Sequence, residues 1–108
     1  MKWSKEERIA VAYFLGIICM ADGSYNPNGL AMFNQFASEM KLKTFESLAL
    51  NNEIGNPQAT NRYSSVASNM PKDKKEKAAS MANAIAISDG YSTDKNMVAK
   101  AFIEAMNC

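Results

Sequence analysis

Apolar residues recur along this chain with the period of an α-helix, and clusters of turn-forming residues divide them into six segments. The first segment opens on a Ser-x-x-Glu pattern, Ser4 to Glu7, in which each end of the first turn can cap the other. From about Lys5 to Ala21, Ile9, Val11, Phe14, Leu15, Ile17 and Ile18 place apolar groups nearly all round the helix. That distribution predicts a buried, central helix, and Gly16 within it would let a neighbour approach closely. Asp22-Gly23 ends the segment. Asn26 is then set to cap a second helix with Pro27 at its first position. That helix runs to about Met40 on a stripe of Leu30, Phe33, Ala37 and Met40.

Thr44 is the expected cap of a short third helix, with Phe45, Leu48 and Ala49 as its apolar residues, broken at Asn51, Asn52, Gly55 and Asn56. Pro57 opens a fourth, on Ala59, Tyr63, Val66 and Met70, and Pro71 ends it. A fifth begins near Asp73, and its face is Ala78, Met81, Ala82, Ile85 and Ala86. Asp89-Gly90 stops that helix, and Thr93 is the expected N-cap of a sixth carrying Met97, Val98, Ala101, Phe102 and Ala105, with Met106 at the edge. No segment alternates as a strand would. The expected fold is all-α, a single domain over 1–108 built as a bundle of about six helices.

Two of these helices end alike. Ile18-Cys19-Met20-Ala21-Asp22-Gly23 and Ile85-Ala86-Ile87-Ser88-Asp89-Gly90 are in register. Counting back from each Asp pairs Val11 with Ala78, Phe14 with Met81, Leu15 with Ala82 and Ile18 with Ile85; counting forward pairs Leu30 with Met97 and Phe33 with Lys100. The pattern predicts two pseudo-repeated helix–loop–helix halves. Gly23 and Gly90 suit the left-handed residue past a helix end, and Tyr25 and Tyr91 sit in the loops, as anchors or as a ligand surface.

Asp22 and Asp89 are the candidate site residues. A carboxylate at a helix C-terminus is disfavoured by about 0.3–1 kcal/mol, so it calls for a compensating partner. Each aspartate either accepts hydrogen bonds from nearby amides or helps to hold a divalent cation. An EF-hand is excluded, because twelve-residue loops from Asp22 or Asp89 end at Phe33 or Lys100, where a bidentate Glu is needed.

Composition narrows the chemistry. Net charge is +1 and the chain has no histidine, which removes the commonest general base and imidazole metal ligands. No convergent acid, base and nucleophile emerges, so no enzyme activity is expected. The Lys72, Lys74, Lys75 and Lys77 cluster is interrupted by Asp73 and Glu76 and lacks interleaved aromatics, so it reads as a solvated helix start rather than a nucleic-acid site. Of the eight methionines, Met40, Met81 and Met97 fall on expected core faces. Cys19 reads as a small buried hydrophobe and Cys108 as an exposed thiol; a bridge between them is disfavoured. The apolar run from Ile9 to Ala21 is shorter than the ~20 residues of a membrane span, and Glu6 and Glu7 interrupt the basic residues of a leader, so a cytoplasmic protein is expected.

At Ala21-Asp22-Gly23-Ser24-Tyr25-Asn26-Pro27, and more weakly at Ser88-Asp89-Gly90, the chain resembles the tellurite-resistance TerB-like family. The helix order follows that family over nearly the whole chain. The resemblance implies an all-helical domain with two pseudo-symmetric halves. It also implies a non-catalytic protein-interaction module in a stress-response or membrane-associated assembly, with an unidentified protein partner. Some members of the family are thought to bind metal through acidic loop residues, which makes a divalent-cation site at Asp22 and Asp89 the alternative. The acidic residue the family pattern expects a few positions on is Gly29 in the first copy and Asn96 in the second.

Overall fold

Helix boundaries in this protein follow the polar residues that can satisfy first-turn amides. The computed structural model describes residues 1–23, 26–88, 90 and 92–107, which form six helices and no strand. These are α1 (Lys5–Met20), α2 (Pro27–Glu39), α3 (Thr44–Asn51), α4 (Pro57–Ser68), α5 (Lys72–Ala86) and α6 (Thr93–Ala105). At the start of α1, Ser4 Oγ accepts from the Glu7 N–H and the Glu7 carboxylate accepts from the Ser4 N–H, so the expected capping box is complete. Asn26 and Asn56 cap α2 and α4 ahead of Pro27 and Pro57. Two caps differ from expectation. Ser92, not Thr93, caps α6, its hydroxyl accepting from the Lys95 N–H. Thr44 is the first residue of α3 rather than its cap, and the Glu46 carboxylate reaches back to the Lys43 N–H instead.

The central place of α1 is as its apolar pattern predicts: it packs against all five other helices. The comparison with α5 shows why its sequence is apolar all round. The buried residues of α5 are Ala78, Met81, Ala82, Ile85 and Ala86, and the residues 67 positions earlier, Val11, Phe14, Leu15, Ile18 and Cys19, are buried too. In addition α1 buries Ala10, Ala12 and Tyr13. Tyr13 turns to α4, where its hydroxyl lies 2.7 Å from Thr60 Oγ1 and its ring meets Tyr63 edge-on at 4.9 Å. No such cover lies on the matching side of α5, where Lys77 and Ser80 are exposed. The helix pair α3–α4 is thus what breaks the likeness of the halves.

The rest of the packing keeps that likeness. As α2 packs on α1, so α6 packs on α5; as α6 packs on α1, so α2 packs on α5. Phe14 and Phe102 stack across the α1–α6 contact at 4.5 Å. The molecule is close to isometric, 30 × 29 × 28 Å. Among the described residues no helix is long and apolar enough to cross a membrane.

Several side chains sit otherwise than the periodicity predicts. Leu30, Ala49, Ala101 and Ala105, expected on apolar stripes, are exposed, because the buried stripe of each helix is narrower than its run of apolar residues. Met97 is exposed and Met106 fully buried, because the sixth helix is rotated relative to the expected register, as the loop geometry below explains. Phe45 and Leu48 are exposed because α3 packs chiefly on α1, and it does so through Glu46 and Leu50. Gly16 has no close helix against it. A Cβ there would lie 3.6 Å from Ile54 Cδ1 and 3.9 Å from Phe33 Cε2, which is ordinary contact. Trp3, buried just before α1, lies outside any helical period and so left no mark in the pattern.

Candidate functional site

The glycines of the two Asp-Gly stops share their backbone geometry. Gly23 and Gly90 both have positive φ, 81° and 92°. The Gly23 N–H donates to Met20 O at 3.0 Å, and the Gly90 N–H donates to Ile87 O at 3.1 Å. One step earlier, the Ala21 N–H donates to Ile18 O and the Ser88 N–H to Ile85 O, both at 3.2 Å. Each pair of bonds is related by the same shift of 67 positions that separates Glu7 from Lys74.

After the glycines the halves go out of step by one residue. Positions 24 and 25 separate Gly23 from the cap Asn26, whereas position 91 alone separates Gly90 from the cap Ser92. One residue turns a helix by about 100°, so the forward pairing expected from sequence is displaced. Phe33 matches Ala99, Phe36 matches Phe102 and Met40 matches Met106. The last two end their helices with identical dihedrals, φ −80° and ψ −5°. In this register Gly29 matches Lys95 rather than Asn96, and Met97 turns outward.

Lys95 is the residue that sequence reasoning missed. Its side chain is 2% exposed, and its ammonium lies 3.8 Å from Asp22 Oδ2. The carboxylate of the first half is therefore compensated by a cation from the second. The signal was present: Lys95 precedes Ala99, Phe102 and Met106 at i+4, i+7 and i+11, so a lysine stands in the buried stripe of α6. At the equivalent position of the first half, Gly29 is buried and its carbonyl accepts from Cys19 Sγ at 3.6 Å. Cys19 is thus a buried thiol, as expected.

Of the other candidates, Tyr25, Asp89, Tyr91 and Cys108 lie outside the described residues. Among the described residues, no three His, Cys, Asp or Glu side chains cluster so as to hold a metal. The Asp22 carboxylate is 31% exposed at its side chain and faces Lys95.

Two further ion pairs fix α1. Arg8 grips Glu46 with two bonds of 2.9 Å, and Glu46 is buried. The Arg8 guanidinium holds the Glu46 carboxyl below its ordinary value, against the opposing effect of burial. Lys74 Nζ lies 2.6 Å from Glu7 Oε1. These two residues occupy equivalent positions in the two halves, and a residue meets its own equivalent where a two-fold relation has its axis. For Glu7, burial pushes the carboxyl up, but hydrogen bonds from Lys74 and Ser4 outweigh it and the net displacement is downward.

A cleft of about 390 Å³ opens between α2 and α3 over the face of α1 that carries Gly16. Its lining includes Leu30, Phe33, Leu50 and Ile54, with Asn34, Ser47 and Asn51 as the polar groups. Beside it Phe45 and Leu48 are exposed on α3, and the Lys43 ammonium stands 5.9 Å from the Phe45 ring centre. No family model matches this chain, and no significant match is found among curated proteins or solved structures.

Proposed function

We propose that the chain is a non-catalytic helical interaction module of TerB-like type that docks a protein partner through the α2–α3 face, in a stress-response or membrane-associated assembly in the cytoplasm. The observation that carries this reading is the character of that face. No charged residue occurs between Asp22 and Glu39, nor from Ser47 to Asn52. Leu30, Phe45 and Leu48 are exposed on it. Depletion of charge around exposed large apolar groups, with a cation such as Lys43 at the edge, is the composition of an interface core and rim. The α5 surface contrasts with it, carrying Lys72, Asp73, Glu76 and Lys77 in the open.

The alternative of a divalent-cation site at Asp22 and Asp89 has less to support it. Lys95 already brings positive charge to Asp22, and the positions where the family pattern expects acidic residues hold Gly29 and Asn96. This favours a structural role for the aspartate.

The test uses Leu48→Glu. Leu48 is 62% exposed, so the substitution should leave the melting temperature unchanged. Affinity capture from the native cell should recover a stoichiometric partner with the unaltered protein and lose it with the variant. A partner held equally by both, or turnover of a small substrate by the purified domain, would sink this reading.

A further inference from the structure

Gly16 is out of place by every local criterion. It lies in the interior of α1, where glycine is less favourable than alanine. Alanine would fit, since its Cβ would make ordinary contacts with Ile54 and Phe33. Packing does not require the glycine. What the missing side chain does is leave open the floor of the α2–α3 cleft.

The volume of that cleft, about 390 Å³, lies in the small-molecule range of about 300–1,000 Å³. Two turns of a peptide helix with their side chains would need on the order of 1,000 Å³, so the space suits a small molecule better. Leu30, Phe33, Leu50 and Ile54 offer it an apolar wall. Asn34 and Asn51 add two amides and Ser47 a hydroxyl, and among the described residues no charged side chain lines the space. An anion entering here would lose its water without gaining a cation. We propose that the cleft over Gly16 is a binding site for a neutral, mostly apolar small molecule that carries one hydrogen-bonding group, of the kind of a long-chain alcohol or amide.

This site shares Leu30 with the docking face but goes beyond it, because Phe45 and Leu48 do not line it. Nile red, a neutral apolar dye, should give a saturable fluorescence increase with the purified protein. Decan-1-ol and decanamide should displace it, and decanoate at the same concentration should not. Gly16→Leu fills the cleft and should weaken dye binding by about tenfold or more while the protein still melts cooperatively. Gly16→Ala should melt higher than the unaltered protein and bind the dye several-fold more weakly. Leu48→Glu should bind it normally, even where it has lost a protein partner. The proposal is overturned by non-saturable binding, by equal displacement with decanoate, or by full binding in a folded Gly16→Leu. If Gly16→Leu does not fold, undiminished binding by Gly16→Ala overturns it instead.

Discussion

The two helix–loop–helix units, α1–α2 and α5–α6, turn at their glycines in the same way and then deliver different residues to the core. In the first, a longer loop places Gly29 inward, where its carbonyl meets the Cys19 thiol. In the second, a loop one residue shorter places Lys95 at the equivalent point, and its ammonium crosses to Asp22 of the first unit. Repetition of the backbone therefore does not carry repetition of the chemistry. A single residue of loop length decides which side chain is buried, because a helix advances by about 100° per residue.

Removing Lys95 should break this comparison most severely. Lys95→Ala deletes a buried aliphatic stem and strips the cation from Asp22, which together should cost about 3–5 kcal/mol in urea-induced unfolding. Lys95→Met keeps the stem volume and removes only the charge, and should recover most of that loss. If the two substitutions cost the same, the stem contributes nothing and the ion pair carries the whole effect.

The aspartate should matter less. Asp22→Asn leaves a hydrogen-bonding group near Lys95 but removes its negative charge, for an expected loss of about 1–3 kcal/mol. The sharper form is a double-mutant cycle. In the Lys95→Met background Asp22→Asn should cost less, because the Lys95 charge it faces is gone. An unchanged cost there would assign the aspartate to its own loop rather than to the link between halves.

Much of this could be read from the chain, and the parts that could not have physical causes. Six helices, their order, the caps Ser4 and Asn26, and the opening prolines Pro27 and Pro57 were legible, because first-turn amides demand local partners and proline suits the first helical position. The central place of α1 was legible from its breadth of apolar residues. The register beyond the second glycine was not, since loop length between two good caps, Ser92 and Thr93, is settled by packing. Phe45 and Leu48 carried helical spacing without burial, because periodicity does not say whether a face has a neighbour. Asp22 was found as a residue that needs a partner, but Lys95 lies too far along the chain for any local rule to name it.

The glycines test the likeness itself. With φ of 81° and 92°, Gly23 and Gly90 both lie where an L-residue is strained. Among the described residues nothing lies within 4 Å of a Cβ at either position, so backbone strain is the expected penalty. Gly23→Ala and Gly90→Ala should each cost about 1–2 kcal/mol and agree with each other within about 0.5 kcal/mol. Unequal costs would mean that the matching hydrogen bonds conceal different turns.

Acid should loosen the contact where the halves meet. The Glu7 carboxyl titrates below its ordinary value of 4.5, because hydrogen bonds from Lys74 and Ser4 outweigh its burial. A carboxyl with a lowered folded value contributes stability that is complete above the unfolded value and disappears as pH falls through the folded one. Glu46, lowered by Arg8, acts in the same direction. The melting temperature should therefore hold steady from about pH 7 to 5 and fall progressively below about pH 4.5. Glu7→Gln should lower it at neutral pH and reduce, without abolishing, the acid-induced fall, since the Arg8–Glu46 pair remains. The curves for Glu7→Gln and the unaltered protein should converge at low pH, where Glu7 is protonated in both states. Parallel curves would show that the charge on Glu7 does not hold the two halves together, and that its pairing with the equivalent Lys74 is incidental to the fold.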